Sequence, residues 1–299
     1  MFKKILFATS ATEASDHAAR VAFNMAGTLK AHLNLFHVLG VPTRGFSQVV
    51  FDVKTKKEVS VDDEYISWVE EEVKNYYSNQ LADGVVDCSI KASVGFPHRE
   101  ILRQAREIEP DLIILGGTTG SDEDSVYKSS TGSTLQRVAK AAPCPILVVN
   151  RSAASFWGGL SNIVFGTDFS KASDKAFDFA LKIAMSLNCE LHLFHALDIS
   201  STHMGMSMSQ DEIEQKIREA YRKIRFKYVS RMKDRKNYSM DVWEGIPYVE
   251  IVKYSREKHA DLIVMAHNSR KLDIDGSKIG SNMEQVIMRA GCPVISVNR

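Results

Sequence analysis

The chain has 299 residues, about twice the ~150 of an ordinary domain, which favours two domains over one. Hydrophobic residues at 44% and charged residues at 25% describe a packed chain and exclude an intrinsically disordered one. Lys plus Arg number 38 and Asp plus Glu 37, which excludes nucleic-acid binding by bulk charge and electrostatic docking on anionic membranes.

No apolar run approaches the roughly 20 residues needed to cross a bilayer. The opening Met1-Phe2-Lys3-Lys4-Ile5-Leu6-Phe7-Ala8 begins like a secretory signal. It stops at Thr9-Ser10, and Glu13 and Asp16 follow, so it reads as a first core strand over 4–9. Apolar residues at helical spacing (Ala18, Val21, Ala22, Met25, Leu29) predict a helix over 13–29, and 32–39 reads as a second strand. An insertion at 41–61 carries two short strand-like runs that suit a hairpin. Residues 62–81 form an acidic helix with Ile66, Val69 and Val73 on one face. A strand follows at 86–94, a helix at 98–108, a strand at 112–116, a helix at 132–142 and a strand at 145–149. Cys88, Cys144, Cys189 and Cys292 show no CxxC pairing or zinc spacing, so reduced thiols in a cytoplasmic protein are expected.

The second half repeats the first. Ile5-Leu6-Phe7-Ala8-Thr9-Ser10 returns 158 positions later as Ile163-Val164-Phe165-Gly166-Thr167-Asp168, and Leu33-Asn34-Leu35-Phe36-His37 as Leu191-His192-Leu193-Phe194-His195. The offset falls to 150 at Gly95-Phe96-Pro97 and Gly245-Ile246-Pro247, and to 148 at Cys144-Pro145-Ile146 and Cys292-Pro293-Val294. This is a duplication with two loop shortenings. Alternating strands and helices imply an α/β fold: two repeated doubly wound domains, each a five-stranded parallel sheet with helices on both faces. The expected division is 1–151 and 160–299, with a linker at 152–159. The last strands of both halves would be sheet edges open to pairing.

In such sheets ligands bind beyond the carboxyl ends of the strands. The first half offers Ser10 and the run Gly116-Gly117-Thr118-Thr119-Gly120, and the second offers Asp168 and Ala266-His267-Asn268-Ser269-Arg270. Glycines let backbone N–H groups approach phosphate oxygens, and Gly132-Ser133-Thr134 opens a helix whose N-terminus would favour an anion. Plain turns and an N-cap explain the same residues if no ligand is bound. Asp168 has a similar double reading, as a ligand contact or as a cap. His37 and His195 read as structural residues at a sheet edge. Cys144 and Cys292 read as small buried residues. Met204, Met206 and Met208 with His203 suit either a packed loop or a soft-metal site. A basic run from Lys223 to Lys236 reads as a solvated helix face. No Walker A or Gly-x-Ser-x-Gly sequence occurs, so enzymatic hydrolysis has no anchor.

Lys4-Ile5-Leu6-Phe7-Ala8-Thr9, its repeat at 162–170, Phe36-His37-Val38, Phe194-His195-Ala196, the Gly-x-Pro turns, the Asp-Leu-Ile strands and the Cys-Pro starts together resemble the universal stress protein family in tandem form. The resemblance implies ATP or AMP as ligand, with Mg if ATP. Its ATP-binding members carry Gly-x2-Gly-x9-Gly-(Ser/Thr) for the phosphates. They use an Asp after strand one, and the backbone of strand two, for ribose and adenine. Carried over, the implied binding residues are Ser10, Val38, Gly117, Gly120, Gly132, Ser133 and Thr134 in the first half. In the second they are Asp168, Ala196, Gly280 and Ser281. Neither half is intact: Ser10 replaces the Asp and the first spacer is two residues longer, while His267 and Arg270 replace two glycines.

The expected role is a cytoplasmic, regulatory adenine-nucleotide binder of stress responses, with the first half as the better site. A scaffold acting through protein partners, without nucleotide, stays open, as does a slow ATPase. The resemblance also implies an intramolecular pseudo-dimer through the two last strands. Association of two chains, and the identity of any protein partner, stay open.

Overall fold

Short runs such as Lys4–Thr9 and Asn162–Gly166 are apolar at nearly every position, and such runs form strands covered on both faces. In the computed structural model, which describes residues 1–40, 49–52, 57–60, 62–82, 86–117, 133–150, 156–199, 208–233, 235–267 and 281–298, they do so. The first half comprises β1 (Lys4–Thr9), α1 (Asp16–Leu29), β2 (His32–Gly40), β3 (Val49–Asp52), β4 (Lys57–Ser60), α2 (Asp63–Tyr76), α3 (Ser78–Leu81), β5 (Cys88–Gly95), α4 (Pro97–Ile108), β6 (Leu112–Gly116), α5 (Ser133–Ala141) and β7 (Ile146–Val149). After α6 (Phe156–Gly159) come β8 (Asn162–Gly166), α7 (Lys171–Leu187), β9 (Glu190–Leu197), α8 (Gln210–Lys227), β10 (Tyr238–Glu244), α9 (Pro247–Glu257), β11 (Leu262–Ala266), α10 (Ser281–Arg289) and β12 (Val294–Val297).

The large sheet runs β10-β9-β8-β11-β12-β7-β6-β1-β2-β5. Within each half all five strands are parallel and helices cover both faces, the doubly wound arrangement expected of each repeat. At the centre β12 and β7 run antiparallel, with Val294 opposite Val148 and Ser296 opposite Ile146. The pleat sends Ile5 and Phe7 into the core beneath α1, α2, α7 and α8. It sends Leu6 and Ala8 into the core beneath α4, α5, α9 and α10. Both cores cross the central pair without a break. Each fully buried Leu, Ile or Phe contributes about 1.5–3 kcal/mol.

Three local features differ from or refine the sequence reading. The helix expected over 62–81 breaks at Tyr77, whose ring is buried against Phe7 and Phe23 and whose hydroxyl lies 2.6 Å from Thr9 Oγ1. The inserted hairpin is present as β3 paired antiparallel with β4. The Gly-x-Pro turns place Gly95 and Gly245 at φ +154° and +141°, where a Cβ would press on Glu100 and Glu250. Pro97 and Pro247 then open α4 and α9, where a missing N–H costs nothing.

The segment read as linker is partly core. Phe156 and Trp157 of α6 are buried, the indole only 1% exposed. Trp157 packs edge-on against Phe2, which also meets Phe179 of the second half. The Trp157 backbone N–H donates to Asn24 Oδ1 of α1 at 2.9 Å. This turn of helix therefore fastens both halves to one face of the sheet. Among the described residues no helix is long and apolar enough to cross a membrane. Trp157→Ala should cost about 3–5 kcal/mol in a denaturant titration; a loss below about 1 kcal/mol would make the segment a mere tether.

Candidate functional site

The parallel register brings the predicted residues to one end of the sheet in each half. Thr9 pairs with His37 and Ala8 with Leu115, so Ser10 emerges between Val38 and Gly117. Gly166 pairs with Phe194 and Met265, so Asp168 emerges between Ala196 and His267. Ser133 and Ser281 begin α5 and α10, and Thr134 follows, half-buried. Gly120, Gly132, Gly280 and Arg270 lie outside the described residues, as do 201–207 of the Met-rich loop. The described residues contain no cluster of metal-ligating His, Cys, Asp and Glu.

A duplicated polar frame holds the first strand's end in both halves. Thr9 Oγ1 meets the Tyr77 hydroxyl at 2.6 Å, and Thr167 Oγ1 meets that of Tyr228 at 2.8 Å. The same threonine oxygens accept the backbone N–H groups of Ala11 and Phe169 at 2.9 Å. These two residues have left-handed φ values of 50° and 63°. His37 Nδ1 lies 3.0 Å from the Thr9 carbonyl and His195 Nδ1 2.8 Å from that of Thr167. A carbonyl only accepts, so Nδ1 carries the proton and donates. Burial lowers both imidazole pKa values against the opposing effect of those hydrogen bonds, so both rings are neutral. These histidines are structural, as expected, but they sit on interior strands β2 and β9 rather than at a sheet edge. Tyr77 and Tyr228 were missed in the sequence, although each follows a helix of its repeat and the two align 151 positions apart.

The two halves then diverge. Ser10 is exposed, and its hydroxyl meets Thr12 Oγ1 at 2.8 Å and Ser15 Oγ at 2.7 Å. Asp168 is also exposed; its Oδ1 accepts from Ser173 Oγ at 2.6 Å and from the Ser170 N–H at 2.9 Å. Partial burial works against its charge, but the bonds from Ser170 and Ser173 outweigh this and hold the carboxyl below its usual range. Ser170 is the N-cap of α7, so Asp168 already braces a helix start. Above it lies Phe169, whose ring stands 4.4 Å from that of His195 and 5.7 Å from Lys223 Nζ. Lys227 donates to the Phe169 carbonyl at 2.8 Å and pairs with Asp174 at 2.9 Å. Two members of the basic run thus face this site rather than solvent alone.

At the end of the fourth strand the contrast is sharper. The Gly117 N–H donates to Val149 O at 3.2 Å, and the His267 N–H donates to Val297 O at 2.9 Å, so the backbones match. A Cβ at Gly117 would run into the Asn150 side chain. His267 carries a whole imidazole there, 3% exposed, with neither ring nitrogen partnered among the described residues. Burial lowers its pKa, and Lys140 of the first half's α5 lowers it further. Cys144 and Cys292 are half-buried rather than fully buried, and burial pushes both thiols up to about 12, so neither is a nucleophile.

The architecture defines a tandem α/β protein whose two doubly wound halves share one sheet. The model of the Universal stress protein family matches residues 1–150 and 159–298. The chain belongs to this family. It is 31% identical over 140 residues to the universal stress protein MJ0531 of Methanocaldococcus jannaschii, spanning 46% of this chain and 81% of that protein. It is 29% identical over 163 residues to MJ0577 of the same organism, spanning 50% and 96%. A universal stress protein from Archaeoglobus fulgidus superposes over 99% of this chain and 96% of its own, with TM-score 0.64 and 18% identity, a likeness of fold.

The buried and half-buried histidines set a pH dependence. Unfolded imidazoles titrate near 6.5, and the folded values of His37, His192, His195 and His267 lie lower. Between the two values the unfolded chain binds more protons, so stability is complete above about 6.5 and is lost as pH falls below it. His267→Phe should make the slope of Tm between pH 6.5 and 5 shallower by the equivalent of up to about 1.4 kcal/mol per pH unit. Superimposable slopes for wild type and variant would contradict a neutral His267.

Proposed function

We propose that the chain binds an adenine nucleotide, ATP with Mg or AMP, in a regulatory rather than metabolic role within the cytoplasm, and that it does so in the first half. The observation that carries this reading is the exchange of Gly117 for His267 at matched backbone positions. With Asn150 turned aside, a strand end without a Cβ would let the following loop fold close to the ligand's phosphates, whereas a buried imidazole fixed in the chain holds the second half's equivalent position. Ser10 would give the ribose one hydrogen bond where the family's aspartate gives more. The strand-two backbone at Val38 would face the base, and the start of α5 at Ser133 and Thr134 would take phosphate oxygens. The second half keeps Asp168 and the Gly280-Ser281 helix start, but its aspartate is engaged by Ser170 and Ser173. In this reading binding is the function and any hydrolysis is slow.

A scaffold reading has one observation in its favour: the Asn150 side chain occupies the space beside Gly117 and donates to the Ile287 carbonyl across the centre of the molecule. Under that reading the first cleft is closed by a structural contact.

Calorimetry on protein stripped of carried-over ligand separates the two. The nucleotide reading expects AMP or ATP to bind once per chain, with affinity falling at least about tenfold in Ser10→Trp, which crowds the first cleft, and little changed in Asp168→Asn. No heat with either nucleotide, or two equal sites per chain, would overturn it.

A further inference from the structure

A second cleft lies at the opposite end of the sheet. It has a volume of about 540 Å³ and is lined by Lys233, Arg235, Lys236, Tyr238, Ser239 and Met240. Tyr238, Ser239 and Met240 are consecutive residues of β10, whose side chains alternate between faces, so a cleft touching all three lies against the strand's edge. β10 is the outermost strand of its half.

The ladder shows which peptide groups point into that space. Leu191 N–H donates to Asn237 O, and Gly245 N–H donates to Leu197 O. Odd-numbered peptide groups of β10 therefore face β9, and those of Tyr238, Met240 and Val242 face outward. Val242 N–H is already met by the Tyr221 hydroxyl at 3.4 Å, much as Ala92 N–H on the opposite outer strand is met by Glu70 at 2.9 Å. These covers leave too little open edge for an added strand, but they leave Met240 beside the cleft.

The charged side chains that line it, Lys233, Arg235 and Lys236, are all cationic. Arg235 Nη2 donates to the Cys189 carbonyl, which anchors the guanidinium, while its Nε is buried with no partner among the described residues. Lys233 and Lys236 are exposed. Nearby carboxylates are engaged elsewhere: Glu190 lies 3.7 Å from His192, and Asp241 accepts from the Tyr254 hydroxyl at 2.7 Å and faces Lys258 at 3.7 Å. Asp234, between two of the cations, lies outside the described residues. In the first half the positions matching Lys233, Arg235 and Lys236, 150 earlier, are Asp83, Val85 and Val86, so the cluster belongs to the second half alone.

We propose that this corner of β10 binds a phosphate-class oxyanion, held by Lys233, Lys236 and the anchored Arg235 with the outward N–H of Met240. Cations that supply several charge-assisted donors, joined by a backbone N–H, form the donor set suited to such a group. The ligand is either a small phosphate or a phosphorylated side chain of another protein, since both present the same oxygens. The site is independent of nucleotide binding in the first half.

Amide NMR titration of the whole chain at constant ionic strength tests it, with inorganic phosphate in one arm and a phosphoserine peptide in the other. Saturable shifts at Ser239 and Met240 are expected in at least one arm. In the double variant Lys233→Ser, Lys236→Ser that binding should weaken at least about tenfold, with AMP calorimetry unchanged. A tighter peptide arm assigns a phosphoprotein, and equal arms assign the small anion. Absence of saturable shifts in both arms, or equal affinity in wild type and double variant, would overturn the proposal. Because the calorimetry reports on the first half, failure here and failure of nucleotide binding are separately visible.

Discussion

The antiparallel pairing of β7 with β12 is the constraint on which the rest of the molecule depends. Without it, each half would end in an exposed parallel-sheet edge, a template for unwanted association. With it, ten strands share one sheet and both cores run through. Side chains reinforce the backbone across the join. Gln136 donates to Glu284 at 2.6 Å, and Asn298 donates to the Ala142 carbonyl at 2.9 Å. Gln136 and Glu284 are equivalent positions of the repeat, 148 apart. In a symmetric dimer one residue type would face itself there. Here an amide faces a buried carboxylate, so the two halves have become partners of different kinds.

That difference extends to the clefts. Lys140 belongs to the first half's α5, yet its charge bears on His267 of the second. The second half's strand end is therefore influenced by a charge of the first half. The polar frame of Thr, Tyr and His is nearly the same in both, because it fixes the first strand's end and the turn that follows. The residues proposed to meet a ligand, Ser10 against Asp168 and Gly117 against His267, are the ones that differ.

Much of this was legible in the sequence, for definite reasons. Apolar runs such as Ile5–Ala8 and Ile163–Phe165 announce strands covered on both sides, and the repeat offsets announce duplication. The Gly-x-Pro turns were legible because the backbone at Gly95 and Gly245 needs a left-handed φ. Less legible were contacts made across long separations. Tyr77 looked like one more helical residue, and only the fold shows its hydroxyl reaching Thr9. Trp157 sat in a Ser-, Ala- and Gly-rich stretch that read as a linker, and its burial depends on Phe2 and Asn24 being nearby. The basic run after Lys223 read as one solvated face. The fold divides it between the Phe169 site and the edge of β10, because α8 ends at Lys227 and the chain then turns to enter β10 at Tyr238.

Hydrogen exchange with and without AMP tests most directly whether a common frame carries one working cleft. Binding in the first half alone should slow exchange at the amides around Ser10, Val38 and the start of α5. Those around Asp168, Ala196 and the start of α10 should be unchanged, with β7 and β12 protected in both states. Equal slowing in both halves, or none in either, would contradict it.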